Sequence, residues 1–512
     1  MVSTSHSLNS IDFSVLDKNS EYLGISTLQL MENAGRSVAD AIATRFGRDT
    51  SVVVYAGTGR NGGDGMVAAR HLAARGFRVN MKLIGDERLV RDFSVLSNWL
   101  ALKAMSSSVK IEIYHDSISL PRSESDVLVD AILGTGVKSV LRQPSIRAVQ
   151  VVNSSAGFKV AVDVPTGINS DTGEVLGEAV RANLTVTFHA SKSGFHKAQQ
   201  YCGEVIVADI GIPPEADLYA GPGDVELVTI RRPTEAHKGA YGQLLVIGGS
   251  EFYSGAPTLV ALTAYRTGTD LVRVAAPESV AQSIAGFSPS ILTVKLPGRN
   301  LTSSHIRLLS EHIEKASAIV IGPGLGLTRE TVTASRKIVE ISTRLKKPLL
   351  IDADALKAIG VVKKRFLNHS VVVTPHAREF ESISGKSPSR DLTRRIEEVN
   401  HFACESGSVT VLKGHTDIIS DGDHVKLNNT GNPGMTVGGT GDVLSGIIAG
   451  LMAQGTDPYK AAVAGAFVNG AAGDFAAEEF GHRLTPTDLI EHIPKLLNEP
   501  MRHKRIRDNR IV

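Results

Sequence analysis

The feature that most constrains the fold is an alternation of short apolar strands with helical segments, repeated along nearly the whole chain. In the first half, strands are predicted at residues 51–56, 78–84, 109–113, 126–133 and 159–164. In the second half, they are predicted at 243–247, 271–275 and 318–321, and from residues 348, 371 and 409 onward. This alternation predicts an α/β fold with mostly parallel sheets. Because such sheets bind ligands at the carboxyl ends of their strands, polar residues there are candidate site residues.

The alternation is interrupted once, which predicts two domains. Residues 212–236 contain closely spaced breakers, namely Pro213-Pro214, Gly221-Pro222-Gly223 and Arg231-Arg232-Pro233. Proline and glycine clusters of this kind are typical of linkers. We therefore predict a first domain over residues 1–215, a linker over 216–235 and a second domain over 236–512. The chain of 512 residues is long enough for each domain to bury a core.

Composition predicts a cytoplasmic protein that binds neither nucleic acid nor membrane. The formal net charge of +2 supplies no global field that would attract polyanions. Residues 1–12 have no apolar signal core, and no apolar stretch of the sequence is long enough to span a bilayer. Cys202 and Cys404 are the only cysteines, which supports neither a disulfide framework nor a zinc site.

A glycine-rich loop follows the first predicted strand. Residues 57–65 read Gly-Thr-Gly-Arg-Asn-Gly-Gly-Asp-Gly and precede a helix predicted at 66–75. A loop between a strand and a helix lets backbone amides approach a phosphate. Asn61 and Asp64 add side-chain oxygens that dinucleotide-binding loops rarely contain. The alternative is a tight structural turn.

Two more polar clusters follow strands of the first half. Asp130 precedes Gly134-Thr-Gly136, and Asp163 opens the run Asp-Val-Pro-Thr-Gly-Ile-Asn169. Asp163 ends an apolar strand just before Pro165, so its carboxylate has a stiff support. An aspartate that only caps the next turn is the alternative. Because strand ends share one sheet edge, we expect the three clusters to form one site.

The second half contains a candidate anion site. Gly438, Gly439 and Gly441 precede a helix predicted at 443–453. Glycines there let successive amides point to one anion, and the helix N-terminus adds partial positive charge. Asp442 is either a helix-stabilising carboxylate or a base that faces the bound anion.

Other strand-end residues of the second half suit phosphoryl transfer, which requires amides, a cation and a base. Asp352, Asp354 and Glu379 could hold Mg²⁺, although each alone could be a surface carboxylate. His376 could position a substrate or be an ordinary loop histidine. The run Lys413-Gly-His-Thr-Asp417 could line a nucleotide or form a hairpin turn.

Taken in order, these motifs resemble a known family. In the first half the motifs are Asn61-Gly-Gly-Asp-Gly65, Asp130-Ala-Ile-Leu-Gly-Thr-Gly136 and Asp163-Val-Pro-Thr-Gly167. In the second half they are Gly322-Pro-Gly-Leu-Gly326, Thr374-Pro-His-Ala-Arg-Glu379, Lys413-Gly-His-Thr-Asp417 and Gly438-Gly-Thr-Gly-Asp442. The first set resembles NAD(P)H-hydrate epimerases, which implies a Rossmann-like three-layer fold. The second resembles ADP-dependent NAD(P)H-hydrate dehydratases, which implies a ribokinase-like fold. Together they resemble the bifunctional NAD(P)H-hydrate repair enzymes.

This resemblance implies two reactions on hydrated NADH and NADPH, which carry a hydroxyl on C6 of the nicotinamide ring in the R or S configuration. The first domain would interconvert the epimers. The second would dehydrate the S epimer with ADP, releasing NAD(P)H, AMP and phosphate. Phosphate is a better leaving group than hydroxide, and the ring nitrogen lone pair can expel it. Asp442 would remove the hydroxyl proton while the amides of residues 438–441 stabilise the moving phosphoryl group.

The resemblance also implies the site residues. The potassium ligands of the epimerase would be Asn61, Asp130 and Thr166. Its hydrated cofactor would be bound by Arg60, Asn61, Gly62, Gly63, Asp64, Gly134, Thr135, Gly136, Val137, Lys138, Ser139, Val140 and Asp163, with Asp163 as acid and base. In the dehydratase the hydrated cofactor would be bound by Ala256, Gly324, His376 and Asp442. The nucleotide would be bound by Lys413, Gly414, His415, Thr416, Asp417, Gly438, Gly439, Thr440 and Gly441.

The implied cofactors are K⁺ for the epimerase and Mg²⁺ with ADP for the dehydratase, and the family implies a homo-oligomer. One position departs from the family, because Arg60 stands where the loop usually has an asparagine. An arginine there could help to hold a 2′-phosphate or pyrophosphate. The competing hypothesis is a ribokinase-like small-molecule kinase fused to a non-catalytic Rossmann-like binding module.

Overall fold

The computed structural model describes residues 7–116, 120–230, 232–362, 366 and 370–511, so Arg231 of the predicted linker lies outside the described residues. The chain divides into two compact units, Met1–Pro213 and Pro214–Val512. No helix among the described residues is long and apolar enough to cross a membrane.

The first unit is a seven-stranded parallel sheet with helices. Its strands are β1 (Ser51–Ala56), β2 (Arg78–Ile84), β3 (Val109–Tyr114), β4 (Glu124–Ala131), β5 (Ala156–Val162), β6 (Leu184–Phe188) and β7 (Glu204–Ala208). Its helices are α1 (Ser10–Tyr22), α2 (Thr27–Ala43), α3 (Arg60–Ala74), α4 (Phe93–Ala104), α5 (Ser145–Ser154) and α6 (Gln199–Cys202). The strand order is β3-β2-β1-β4-β5-β6-β7. The central strands are continuous apolar runs because both faces of a parallel sheet are buried.

The glycine-rich segment of the first unit corrects the loop predicted over residues 57–65. Helix α3 begins at Arg60, so three of its glycines lie in helical turns. A Cβ on Gly62 would lie 1.9 Å from the carbonyl oxygen of Gly57, and one on Gly65 would lie 2.4 Å from Ala131 Cβ. These glycines let α3 approach the sheet closely, a packing requirement that overrides the low helix propensity of glycine.

The second unit is a nine-stranded mixed sheet with helices. Its strands are β8 (Gln243–Ile247), β9 (Leu271–Pro277), β10 (Leu292–Leu296), β11 (Ala318–Ile321), β12 (Leu349–Ile351), β13 (Val371–Val373), β14 (Val409–Leu412), β15 (Asp417–Ser420) and β16 (Val425–Asn428). Its first helices are α7 (Pro214–Leu218), α8 (Pro222–Val228), α9 (Gly255–Arg266), α10 (Glu278–Phe287), α11 (Ile306–Lys315), α12 (Arg329–Arg344) and α13 (Asp354–Ile359). The remaining helices are α14 (Ala377–Ser384), α15 (Leu392–Ser406), α16 (Thr440–Ala453), α17 (Pro458–Phe480), α18 (Pro486–Asn498) and α19 (Lys504–Ile511).

The strand order of this second sheet is β10-β9-β8-β11-β12-β13-β14-β15-β16. All neighbouring pairs from β10 to β14 are parallel, whereas β15 pairs antiparallel with both β14 and β16. The expected fold class is confirmed: the chain is α/β, with a Rossmann-like first unit and a ribokinase-like second unit.

Helix α16 is held rigidly because small residues let its neighbours approach. A Cβ on Gly446 would lie 2.5 Å from Thr263 Cβ on α9, and one on Gly465 of α17 would lie 2.6 Å from Ile448 Cγ1 of α16. Residues 443–453 of α16 are all buried. The glycine run before α16 is therefore attached to one of the most firmly packed elements of the unit.

The segment assigned to a linker by its sequence contains ordered structure. Helix α8 and most of α7 fall within residues 216–235, and both helices belong to the second unit. The backbone N–H of Ala220 donates to the carbonyl of Leu427 at 2.8 Å, and Lys426 Nζ lies 3.0 Å from Asp224 Oδ1. These contacts tie this segment to the β16 edge of the sheet.

Candidate active sites

The first unit contains a cavity of about 520 Å³ at the carboxyl ends of its central strands. Its wall includes the start of α3, the segment 132–137 after β4, Asp163 after β5, and Phe188, His189 and Lys192 at and after the end of β6. Parallel strands whose ends meet at one edge explain why residues so distant in sequence share one cavity.

Asp163 makes a buried ion pair in this cavity. Lys192 Nζ lies 2.7 Å from Asp163 Oδ1, and the Thr187 hydroxyl donates to the same oxygen at 3.1 Å. Lys192 is only 3% exposed, and its Nζ lies 3.7 Å from the centroid of the Phe13 ring. Asp163 also has a positive φ of 63°, unusual for a residue other than glycine. The surrounding structure thus fixes both the position and the partner of this carboxylate.

Two further carboxyl groups line the cavity and have raised pKa values. Burial raises the pKa of Asp64 well above its usual value, and the charges of Asp163 and Asp17 raise it further. Burial also raises the pKa of Asp17, which the charge of Arg60 opposes. Arg60 NH1 lies 3.9 Å from Asp17 Oδ2, and its Nε lies 3.2 Å from Asp92 Oδ2. Within one cavity, the three carboxyl groups therefore have different electrostatic surroundings.

Asn61, Asp130 and Thr166 provide oxygen atoms suited to a cation. Both side-chain polar atoms of Asn61 are buried without a hydrogen-bond partner among the described residues. Asp130 is fully buried and accepts hydrogen bonds from the Thr166 backbone N–H at 2.8 Å and hydroxyl at 2.7 Å. Burial raises the pKa of Asp130 to about 6. An orphaned amide and a buried carboxylate are a donor set that fits a hard cation such as K⁺.

The other residues that the sequence assigned to this site divide into two groups. Arg60, Asn61, Asp64, the segment 134–137 and Asp163 all line the cavity. Gly62, Gly63, Lys138, Ser139 and Val140 are not among the residues that line it. Gly63 packs on α2 instead, because a Cβ there would lie 2.6 Å from Met31 Sδ. Val140 is 64% exposed.

Sequence reasoning missed Lys192, Asp17 and Phe13. Lys192 lies four residues beyond β6, a strand that was not predicted, so the strand-end signal that found Asp163 was not applied to it. Asp17 and Phe13 lie on α1, before the first predicted helix. An acidic and an aromatic residue four positions apart on one helix carry no signal by themselves, because charged residues are normally solvated.

In the second unit, Asp442 lies in the first turn of α16. Burial raises its pKa to about 7, with a further increase from the charge of Asp352 and a decrease from Lys413. Lys413 is close to the glycine run, since a Cβ on Gly441 would lie 3.4 Å from Lys413 Nζ. A carboxyl group, an ammonium and a helix N-terminus therefore meet at one point.

Lys413 is bound by Asp352 rather than by Asp442. Its Nζ lies 3.2 Å from Asp352 Oδ1, and the Ser445 hydroxyl donates to Asp352 Oδ2 at 2.7 Å. Asp352 is 2% exposed. Burial lowers the pKa of Lys413, but the charges of Asp352, Glu379 and Asp442 outweigh this, and the net shift is upward. Lys413 is thus a stable cation beside the glycine run.

The three carboxylates considered from sequence as magnesium ligands, directly or through water, all have hydrogen-bond partners within the unit. Asp352 is occupied by Lys413 and Ser445. Asp354 accepts from the Gly326 N–H at 3.0 Å and from Lys357 at 3.1 Å, and Glu379 accepts from the His376 N–H at 3.0 Å. In the described part of the chain, no group of three His, Cys, Asp or Glu residues could hold a metal ion. Glu379 forms a capping box with His376 at the start of α14, whereas Asp352 and Asp354 also bind residues of other elements.

The remaining nucleotide-site candidates lie close together. His376 pairs with Lys413 in an isolated parallel bridge, and the Lys413 N–H donates to the Pro375 carbonyl at 2.9 Å. Gly414, His415 and Thr416 form the turn between β14 and β15, which Asp417 closes by accepting from the Gly414 N–H at 2.9 Å. The hairpin turn is therefore real, and it adjoins Lys413.

Ala256 and Gly324 also meet. A Cβ on Gly324 would lie 3.6 Å from Ala256 Cβ and 2.9 Å from Tyr253 Cβ. A Cβ on Gly439 would lie 2.9 Å from Cδ1 of Leu259, which is one turn after Ala256 on α9. The start of α9 thus connects this pair to the glycine run.

Asp474 of α17 anchors the loop 431–434, which precedes the glycine run. This buried carboxylate accepts from the Gly431 N–H at 3.0 Å and the Asn432 amide at 3.0 Å. It also contacts His503 and Arg510. Hydrogen bonds from His503, Arg510, Asn432 and Gly431 outweigh burial and lower its pKa. Helix α19, which carries Arg510, is thereby connected to the loop.

Comparison with known proteins identifies both units. A family model described as NAD(P)H-hydrate dehydratase matches residues 244–495, and one described as YjeF-related protein N-terminus matches residues 27–194. The bifunctional NAD(P)H-hydrate repair enzyme of Hyperthermus butylicus is 45% identical over 96% of this chain and 93% of its own. That of Pyrobaculum aerophilum is 45% identical over 96% and 98%. The solved ADP/ATP-dependent NAD(P)H-hydrate dehydratase of Bacillus subtilis is 26% identical, with a TM-score of 0.48, and covers 56% of this chain and 99% of its own.

Proposed function

This chain belongs to the family of bifunctional NAD(P)H-hydrate repair enzymes, and on that premise we propose which residues perform each reaction. The first unit interconverts the R and S hydrates of NADH and NADPH. The second unit dehydrates the S epimer with ADP as the phosphoryl donor. The observation that carries the dehydratase assignment is the position of Asp442 in the first turn of α16, beside Lys413 and Gly441.

In the dehydratase reaction, Asp442 acts as the base. It removes the proton of the C6 hydroxyl, whose oxygen then attacks the transferred phosphoryl group. The amides of residues 438–441 and the Lys413 ammonium offset the charge on the phosphoryl oxygens. The ring nitrogen lone pair then expels phosphate from C6, and loss of a C5 proton restores the reduced nicotinamide.

The dehydratase binds its two substrates on either side of Asp442. The nucleotide lies against Lys413, the turn 414–416 and Asp417, and the hydrated ring lies against Ala256, Gly324 and His376. Mg²⁺ would be held by the nucleotide phosphates and water, as it commonly is, because Asp352, Asp354 and Glu379 already accept hydrogen bonds from protein groups.

In the epimerase reaction, Asp163 exchanges protons with the C6 hydroxyl. The hydrated ring occupies the cavity of the first unit, against Arg60, Asn61, Asp64 and the segment 134–137. K⁺ would be held by Asn61, Asp130 and Thr166, where it would offset the buried carboxylate and order the surrounding oxygens. We further propose a cytoplasmic homo-oligomer that uses no nucleic-acid or membrane partner.

The test is to incubate the purified chain with separated R and S hydrates, with and without ADP. We expect R-to-S conversion without nucleotide, and recovery of reduced-nicotinamide absorbance together with AMP and phosphate when ADP is added. Formation of a stable phosphate ester from another alcohol, without recovery of NAD(P)H, would instead identify a small-molecule kinase. Absence of any R-to-S conversion would identify the first unit as a binding module.

A further inference from the structure

Two carboxyl groups that line the cavity of the first unit, Asp163 and Asp64, have different neighbours. Asp163 forms a direct ion pair with Lys192, whose ammonium is buried and has the ring of Phe13 on another side. The ammonium at 2.7 Å and the Thr187 hydroxyl at 3.1 Å hold the Asp163 carboxylate in one orientation. A buried ammonium without a counterion is strongly unfavourable, so this pairing fixes both side chains.

Asp64 lies on the first turns of α3, on a different element from Asp163. The charged and titratable groups around it are Asp17 on α1, Arg60 on α3, Asp163 after β5, and His189 and Lys192 after β6. Arg60 is shared with Asp17 and Asp92, at 3.9 Å and 3.2 Å. Burial and two nearby carboxylates raise the pKa of Asp64, so the group tends to keep its proton.

An enzyme that inverts one carbon centre by loss and readdition of water needs both a proton donor and a proton acceptor. The hydroxyl must leave one face of C6 with a proton, and a water must reach the other face and lose one. A single carboxyl group at one face cannot do both in one turnover. Two carboxyl groups that share one proton can do so in either direction.

We propose that Asp64 and Asp163 are the acid and the base on the two faces of the hydrated ring, and that Lys192 holds the Asp163 carboxylate in the position from which it acts. This inference rests on the proposed epimerase function of the first unit. It assigns Asp64 a catalytic role beyond binding, and it makes Lys192 a positioning residue that acts through Asp163.

The proposed steps balance as follows. Asp64 gives its proton to the C6 hydroxyl, the C6–O bond breaks, and the ring nitrogen lone pair forms a double bond to C6 as water leaves. A second water bonds to the opposite face of C6, the electron pair returns to nitrogen, and Asp163 accepts the proton of that water. One proton has moved from Asp64 to Asp163 and returns through solvent. The reverse reaction uses the same groups with their roles exchanged.

The experiment measures R-to-S conversion by the full chain as a function of pH. We expect a bell-shaped kcat profile, because the site works with one proton between two carboxyl groups. Asp64→Asn should lower kcat about 10²- to 10⁴-fold with little change in KM, and its residual rate should lose the basic limb. Lys192→Met should lower kcat about 10- to 100-fold with little change in KM, because Asp163 then loses the partner that fixes its carboxylate, and Lys192→Arg should restore most of the rate.

Matched controls are Asp126→Asn and Lys110→Met, which change the same charges elsewhere in the unit. Asp126 lies early in β4, where it accepts from Ser51, and Lys110 lies on β3 beside Glu112. Both should retain the wild-type pH profile. Asp64→Asn with a wild-type rate and basic limb would overturn the role of Asp64. A wild-type kcat in Lys192→Met, or a Lys192→Arg variant as slow as Lys192→Met, would overturn the role of Lys192.

A second measurement needs no variant. Conversion of the R hydrate by the wild-type chain in H₂¹⁸O should place one solvent oxygen on C6 of the S product. An S product that retains its original oxygen would overturn the elimination and readdition sequence. No R-to-S conversion at all would instead overturn the proposed epimerase function, so the two failures are distinguishable.

Discussion

The two units use the same three side chains, two aspartates and a lysine, but pair them differently. In the first unit Lys192 binds Asp163 directly, and Asp163 is the proposed base. In the second unit Lys413 binds Asp352, and Asp442, which lies near this pair, has a pKa raised to about 7. At Asp442 burial is the largest cause of the raised pKa, the charge of Asp352 raises it further, and the Lys413 ammonium opposes both. The two units therefore differ in whether the lysine contacts the functional carboxyl group or its neighbour.

The largest expected effect separates the two sites. Asp442→Asn should lower dehydration of the S hydrate about 10²- to 10⁴-fold and leave epimerisation unchanged. Asp163→Asn should lower epimerisation by a similar factor and leave dehydration of the S hydrate unchanged. Asparagine is the suitable replacement at 163 because it tolerates the positive φ of 63° better than alanine. Product analysis of both epimers by chromatography checks this pair, and loss of both activities in either variant would contradict two independent sites.

The next effect concerns the cation of the first unit. Asn61→Ala removes the amide oxygen that has no partner among the described residues. We expect the K⁺ concentration for half-maximal epimerisation to rise about 10- to 100-fold, as for loss of other ligand-shell groups. The measurement is the epimerisation rate in KCl against tetramethylammonium chloride. Dehydration of the S hydrate in the same salts is the internal control, and an unchanged K⁺ requirement would exclude Asn61 as a ligand.

A smaller effect tests the pairing in the second unit. A base must be ionised, so dehydration by the wild-type chain should fall as the pH drops below about 7, where Asp442 gains a proton. Asp352→Asn removes the repelling charge and frees Lys413, so the pKa of Asp442 should fall. The acidic limb of kcat should therefore move about one pH unit or more to lower pH.

The matched control for that shift is Glu340→Gln, an exposed carboxylate on α12. It should leave the acidic limb in place. An acidic limb that stays near pH 7 in Asp352→Asn would show that burial alone sets the protonation of Asp442.

The smallest expected effect lies at the cavity mouth of the first unit. The side chain of Arg60 is 59% exposed and already paired with Asp92, so its contribution to substrate binding is limited. Arg60→Asn should raise KM about 2- to 5-fold for hydrated NADPH and less for hydrated NADH. Equal KM values for the variant and the wild type on both substrates would show that the 2′-phosphate does not reach Arg60.

Much of the architecture could be predicted because strands and their ends have local signals. The strand at 51–56 has the predicted bounds, and the family expected from the ordered motifs is confirmed. The helical start at Arg60 could not be predicted, because glycines at 62, 63 and 65 disfavour a helix locally and are required only by neighbouring side chains and backbone.

The sequence also did not predict which site residues pair with one another. Sequence reasoning treated Asp352 as a possible metal ligand, but its partners Lys413 and Ser445 lie 61 and 93 residues away along the chain. Lys192 was also missed because its role depends on a partner far along the chain: it pairs with Asp163, which follows the neighbouring strand β5. Residue type and position relative to a strand can be read locally, whereas an ion pair is a property of the assembled sheet.

The anchoring of the loop 431–434 by Asp474 has a practical consequence for anyone who engineers this protein. Arg510 of α19 and His503 both contact Asp474, so deletions of α19, or fusions that distort it, would disturb the loop 431–434 that precedes the glycine run. Affinity tags and reporter domains for assays of dehydration are therefore better joined ahead of α1. A truncation series through α19 would measure how far the anchoring of this loop contributes to dehydration.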